Sequence, residues 1–443
     1  MTPAAILNRI RDARPRFLRS ERGNVAIFFT FALFPIIGLL GLAVDYGRAV
    51  SAKSTMQAAV DATALMISKE AASLTGAQIS TKAQAYFDAL FVKPGFGATL
   101  TTAYTPNAGT GATVKIDASG TMQTDFMRVA GYPTLKITTS STTTWGSARL
   151  RVALSLDNTG SMRDAGKMDA LKTATKNLID QLKTAATNTG DVYISIVPFS
   201  RAVNVGASNK NANWLRWTEW DAANGTCSNS SYTTKSSCES SSRRTWTPKN
   251  HTNWNGCVTD RDQSNDVTAA AATSNATRFP AEQYSDCPAS MTGMSYSWTD
   301  LKDKVDTMSP AGATDQPIGL AWAWQTLTAG SPFPYPAEDA NYQYQKVVIH
   351  MSDGMNTQNR WNGNGSRWSS AVDDRQALIC ANMKAAGIML YMIQVNTDGD
   401  PTQTVMQTCA SSADKFVMLT SGSQLISTFD NIGKQLAQLR IKK

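Results

Sequence analysis

Between Val25 and Val44 the chain reads VAIFFTFALFPIIGLLGLAV, twenty residues without a charge. At about 1.5 Å per residue a helix of that length spans roughly 30 Å, the hydrocarbon thickness of a bilayer. The stretch Ala49–Ala72 follows without Gly or Pro, and its Met56, Ala59, Val60, Ala64 and Ile67 recur at three- and four-residue steps. That spacing predicts a helix with one packing face, continuing the apolar segment as a stalk. Residues 97–148 change to Thr, Ser, Gly and Val, alternating at Ala112, Val114 and Ile116 and again at Leu135 and Ile137. Short strands of a half-exposed sheet are expected there.

From Leu150 the period changes again. Leu150–Leu156, Val192–Phe199, Lys346–Met351, Ile388–Val395 and Lys415–Leu419 read as strands. Between and after them Ala165–Leu182, Gln316–Leu327, Ala371–Ala386 and Leu425–Leu439 read as helices. Near-continuous apolar strands alternating with helices predict an α/β fold, a doubly wound, mostly parallel sheet covered on both faces. Residues 205–299 interrupt the rhythm: they are polar and hold six of the eleven Trp and four of the six Cys. They read as a disulfide-stapled insertion whose aromatics form a small core of their own.

Charge sharpens the layout. The net charge is +8, but residues 1–23 carry six arginines against Asp12 and Glu21, and the last ten residues carry four basic groups and no acid. Each end contributes +4, so the body is neutral and lacks the basic face that nucleic acid demands. Arginines before the apolar run place the N-terminus in the cytoplasm. The run is long for a signal peptide and no clear small-x-small cleavage site precedes Asp45, so a retained anchor is expected. The expected division is 1–24 cytoplasmic, 25–44 membrane, 45–96 stalk, 97–149 β-rich module and 150–443 α/β domain with insertion 205–299. Six cysteines without a C-x-x-C pair suit disulfides in an exported chain. The expected pairing is Cys380 with Cys409, the other four among themselves.

Candidate chemistry lies where the first α/β strand ends, in Asp157-Asn158-Thr159-Gly160-Ser161. One carboxylate and two hydroxyls alternate there, at the sheet edge where parallel α/β sheets collect ligands. Gly312-Ala313-Thr314-Asp315 and Ser352-Asp353-Gly354 reach the same edge. An all-oxygen set of Asp157, Thr159, Ser161, Thr314 and Asp353 selects a hard cation: Mg²⁺, with Mn²⁺ or Ca²⁺ as alternatives. Two carboxylates under-coordinate a divalent ion, leaving a position for an acidic residue of a partner protein. His350 lies in an apolar strand and reads as core rather than base.

These five residues resemble the metal-ion-dependent adhesion site of von Willebrand factor A domains, over roughly 150–204 and 300–440. Arg22-Gly23-Asn24-Val25-Ala26 through Ala43-Val44-Asp45-Tyr46-Gly47-Arg48 resembles the N-terminal region of TadG-like tight-adherence (Flp pilus) assembly proteins. The ending from Cys409-Ala410-Ser411-Ser412 through Leu436–Arg440 is similar to the same family. The resemblance implies a bacterial inner-membrane protein with a periplasmic A domain that assists pilus assembly and surface attachment. It departs from Flp pilins, which carry Glu at the fifth mature position; cleavage after Gly23 would put Phe28 there, so no such processing is expected. Two other functions compete: a metal-dependent phosphatase or hydrolase with Asp157 as nucleophile and Arg163 or Lys167 on the phosphate, and a purely structural envelope protein.

Overall fold

The computed structural model describes residues 23–71, 74–93, 96–105, 112–145, 148–330, 332–333, 337–339, 342–397, 399–439 and 441–442. The arginines Arg9–Arg22, together with Arg440 and Lys443, lie outside them. The chain divides into two compact units, one within Met1–Pro106 and Ala112–Thr144, the other within Trp145–Lys442.

In the first unit the apolar run and the amphipathic stretch form one helix, α1 (Gly23–Glu70). Its segment from Ile27 is the one helix among the described residues long and apolar enough to cross a membrane. Met56, Val60, Ala64 and Ile67 are fully buried and Ala59 nearly so, the face that their spacing predicts. Helix α2 (Gly76–Leu90) starts at a capping box: Thr75 accepts from the Gln78 N–H while the Gln78 side chain accepts from the Thr75 N–H. Ile79, Ala83 and Phe87 of α2 are buried, as are Val114 and Ile116 of the sheet β1 (Gly97–Thr105), β2 (Ala112–Gln123), β3 (Thr134–Trp145). Strands β1 and β2 pair antiparallel, Thr101 opposite Asp117, and β1 alternates between half-buried and exposed positions.

The second unit is a mixed α/β fold. Outside the insertion's two short helices, Thr218–Ala223 and Lys235–Glu239, its main helices are α3 (Lys167–Ala185), α4 (Trp298–Asp306), α5 (Gln316–Thr326), α6 (Ser370–Ala385), α7 (Thr404–Cys409) and α8 (Gln424–Leu439). Strands β4 (Ala148–Asp157), β5 (Val192–Phe199), β9 (Gln343–Ser352), β10 (Met389–Val395) and β11 (Phe416–Leu419) run parallel in the order β5-β4-β9-β10-β11. Period-two alternation in β4 splits the core. Leu150, Val152, Leu154 and Leu156 pack with Leu171 and Leu178 of α3, Leu301 of α4 and Phe429 of α8. Ala153 lies in the other cluster, with Leu320 of α5, Ile379 and Met383 of α6 and Met406 of α7. The disulfide Cys380–Cys409 staples α6 to α7 inside that second cluster.

The insertion is less separate than its composition suggests. Residues 205–299 hold the disulfides Cys227–Cys238 and Cys257–Cys287. They also extend the sheet: β7 (Cys257–Val258) pairs with β6 (Val203–Asn204), and β8 (Thr292–Ser295) lies antiparallel on β5. Trp220 and Trp254 share one buried cluster with Val197 and Phe199 of β5 and Trp322 of α5. The expected private core is therefore corrected to a continuation of the domain core. Large apolar rings on a short, polar segment are covered most completely against an existing sheet edge.

Candidate metal centre

Strands β4 and β9 pair in parallel register, Leu156 beside Met351, so Asp157, Ser352 and Asp353 emerge at one sheet edge. Backbone bonds then set the loops side by side. The Asn158 N–H donates to the Phe199 carbonyl, the Gly160 N–H to the Gly312 carbonyl at 3.0 Å, and the Ala311 N–H to the Asn158 carbonyl at 2.8 Å.

Four of the five expected ligands form one chain of oxygens. The Thr159 hydroxyl donates to Asp157 Oδ1 at 2.5 Å and lies 3.1 Å from Ser161 Oγ, which donates to Asp353 Oδ1 at 2.7 Å. Asp157 and Thr159 are buried, while Ser161 is exposed and marks the open side. Thr314 stands apart: its N–H donates to Thr357 Oγ1 and its carbonyl accepts from the N–H groups of Thr357 and Gln358. No hydrogen bond links its hydroxyl to the other four among the described residues.

Two participants lie outside the expected ligand set: Ser352, and Lys167, which the sequence offered only as a phosphate ligand of the enzyme reading. Ser352 Oγ donates to Asp157 Oδ2 at 2.5 Å. Lys167 Nζ lies 2.6 Å from Asp353 Oδ2, both side chains shielded from solvent. A lysine in the first turn of a helix opposes the helix dipole, and that misfit is the sequence signal of a special partner. The backbone brings it round through two successive left-handed residues, Ala165 at φ 54° and Gly166 at φ 66°.

Burial, and then the charge of Asp353, push the Asp157 carboxyl up to about 7, against the hydrogen bonds from Ser352 and Thr159. Two carboxylates and one ammonium leave the pocket one formal negative charge. That deficit and the converging hydroxyls suit a hard divalent cation. No group of three or more His, Cys, Asp or Glu side chains able to hold a metal occurs among the described residues, so an ion here depends on hydroxyl ligands.

The insertion reaches the same rim. Asp315, the cap of α5, hydrogen-bonds with Asp260. Burial, and then the charge of Asp266, raise the Asp260 carboxyl to about 6, while burial and the charge of Asp260 raise Asp315 well above the usual carboxylate range. His350 is a core residue: its ring stacks on Phe199, and its nitrogens meet Ser155 Oγ at 2.9 Å and Gln316 Oε1 at 3.2 Å.

Residues 23–66 match the family model described as "Putative Flp pilus-assembly TadE/G-like". No curated protein matches the chain. Among solved structures it is similar to the pilus adhesin SpaC from Lactobacillus rhamnosus GG, at 12% identity and TM-score 0.39, over 78% of this chain and 35% of that one. The chain thus spans about a third of the length of that structure. It is also similar to the vWF domain of the type V pili tip protein Mfa5 from Porphyromonas gingivalis, at 10% identity and TM-score 0.38, over 66% of this chain and 97% of that one. A third is proximal thread matrix protein 1 from the mussel byssus, with a zinc-occupied MIDAS motif, at 13% identity and TM-score 0.34, over 66% and 48% of the two chains.

Proposed function

We propose that the second unit is a von Willebrand factor A-like domain with a doubly wound, mostly parallel sheet, and that the chain is TadG-like. Its function is then that of a membrane-anchored, cation-dependent protein-binding module assisting Flp, or tight-adherence, pilus assembly and surface attachment. The observation that carries this reading is the continuous oxygen chain Asp157–Thr159–Ser161–Asp353, closed to solvent except at Ser161. Asp157, Thr159, Ser161 and Asp353 would hold Mg²⁺, or Mn²⁺ or Ca²⁺, with Thr314 at the rim. The bound ion supplies an electrophilic position for an acidic side chain of a pilus or envelope component. In this reading α1 crosses the bacterial inner membrane with the N-terminus in the cytoplasm, and the disulfide-bonded bulk lies in the oxidising periplasm.

An enzyme is a competing reading. It would have to use the bound cation and the exposed Arg163, which donates to the Pro310 carbonyl, on the phosphate, because Lys167 is engaged with Asp353. A structural role is the second reading, favoured by Lys167, which already neutralises part of the pocket. Pull-down from solubilised membranes with and without Mg²⁺ separates these readings. Mg²⁺-dependent capture of an envelope protein, lost in Asp157→Ala and Asp353→Ala, is expected. EDTA-insensitive capture by both variants overturns the proposal.

A further inference from the structure

At the end of the apolar segment, Asp45 is fully buried although it is the first charge after Val44. Its carboxylate accepts the backbone N–H groups of Asp125, Phe126 and Met127, at 3.2, 2.8 and 2.8 Å. These donors begin a tight turn, Met127–Ala130, closed by left-handed Gly131 at φ 92°. Beside them, Gly41 is the one buried position among the described side chains from Ile27 to Val44. A Cβ there would come within 2.5 Å of the Phe126 side chain, so the glycine makes room for that ring.

The turn is therefore fastened at Asp45, just beyond the apolar run, and Phe126 packs back onto the helix as far as Gly41, about four residues or roughly 6 Å further in. Its outer side is apolar and open: Phe126 is 46% exposed, Val129 79% and Tyr132 62%, with exposed Arg128 between them. Tyr132 and Arg128 are residue types that favour the bilayer's headgroup layer, and the apolar Phe126 and Val129 suit the headgroup–acyl boundary just below it. An unpaired charge at the end of the apolar run would be costly; Asp45 is compensated by the three N–H donors and by Arg48 Nη1 at 3.6 Å, which also pairs with the exposed Asp125.

We propose that the Phe126–Tyr132 turn is a second membrane contact, a wedge seated in the headgroup layer beside the anchor. The proposal rests on α1 spanning the bilayer, and its test separates the two claims. All six native cysteines are disulfide-bonded, so a single introduced thiol can carry an environment-sensitive fluorophore. The full-length chain, labelled at Val129→Cys, Ala130→Cys, Leu33→Cys or Lys69→Cys, is placed in phosphatidylethanolamine–phosphatidylglycerol nanodiscs containing nitroxide lipids. The labels at 129 and 130 should lose most of their fluorescence to headgroup-level nitroxides, the label at 33 to deep ones, and the label at 69 to neither. Unquenched labels at 129 and 130 beside a quenched label at 33 overturn the wedge and leave the anchor standing. An unquenched label at 33 overturns the anchor and the wedge with it.

Discussion

Lys167 Nζ and Asp353 Oδ2 lie 2.6 Å apart with both side chains fully buried, so the pocket carries a built-in cation on one of its two carboxylates. Removing one partner of a buried pair leaves an uncompensated charge and costs about 3–5 kcal/mol. Lys167→Met should therefore unfold at markedly lower denaturant than the parent chain in metal-free buffer. Saturating Mg²⁺ should restore more stability to the variant than it adds to the parent, because the variant's pocket holds one more uncompensated negative charge. Chemical denaturation with and without Mg²⁺ reads both effects.

His350 makes stability depend on acid. Burial holds its pKa at about 3, against 6.5 for the ordinary side chain. Between those values the unfolded chain binds a proton that the folded chain refuses, so this contribution is complete above pH 6.5 and is lost as pH falls. Between pH 7 and pH 5 the loss is about 2 kcal/mol. Unfolding free energies of the parent and His350→Asn at the two pH values should differ by about that amount, the parent losing more.

Gly319 tests the packing of α5 on the sheet. A Cβ there would lie 2.5 Å from the Phe199 ring and 2.7 Å from Ser155 Oγ. Alanine gains about 1 kcal/mol in helix propensity, but overpacking typically costs about 1–3 kcal/mol. The clash falls on two buried neighbours, so Gly319→Ala should be net destabilising in thermal unfolding.

The disulfide Cys380–Cys409 closes a loop with a sequence separation of 29. Chain-entropy arguments assign such a loop about 3–4 kcal/mol. The double variant Cys380→Ala/Cys409→Ala should lose about that much by chemical denaturation, while Cys227→Ala/Cys238→Ala, with a separation of 11, should lose less.

Long periodic segments were legible in the sequence. The stalk face of Met56, Val60, Ala64 and Ile67 and the β4, β5, β9 and β10 strands follow from period alone. The Cys380–Cys409 pairing, expected because the other four cysteines lie in the insertion, is formed. The four-residue β11 was also legible, as the apolar run Lys415–Leu419, whereas β7 and β8 were not, because Cys257–Val258 is too short and Thr292–Ser295 too polar to stand out from the insertion around them. At the site, Asp157, Thr159, Ser161 and Asp353 stood out by spacing at strand ends. Lys167 stood out only as a phosphate ligand of the enzyme reading; its pairing with Asp353 was not legible, because its direction depends on the left-handed turn at Ala165 and Gly166 rather than on position in a helix. Ser352 was hidden as the last residue of an apolar strand, where a hydroxyl usually satisfies a neighbouring backbone group.

Calorimetric titration of Mg²⁺ into the full-length chain, beside Asp353→Asn, tests the central claim most directly. The account predicts saturable binding of one ion per chain and a Mg²⁺-dependent rise in Tm, both lost in the variant. A folded parent chain with neither binding heat nor Tm shift at millimolar Mg²⁺, Mn²⁺ or Ca²⁺ would contradict it.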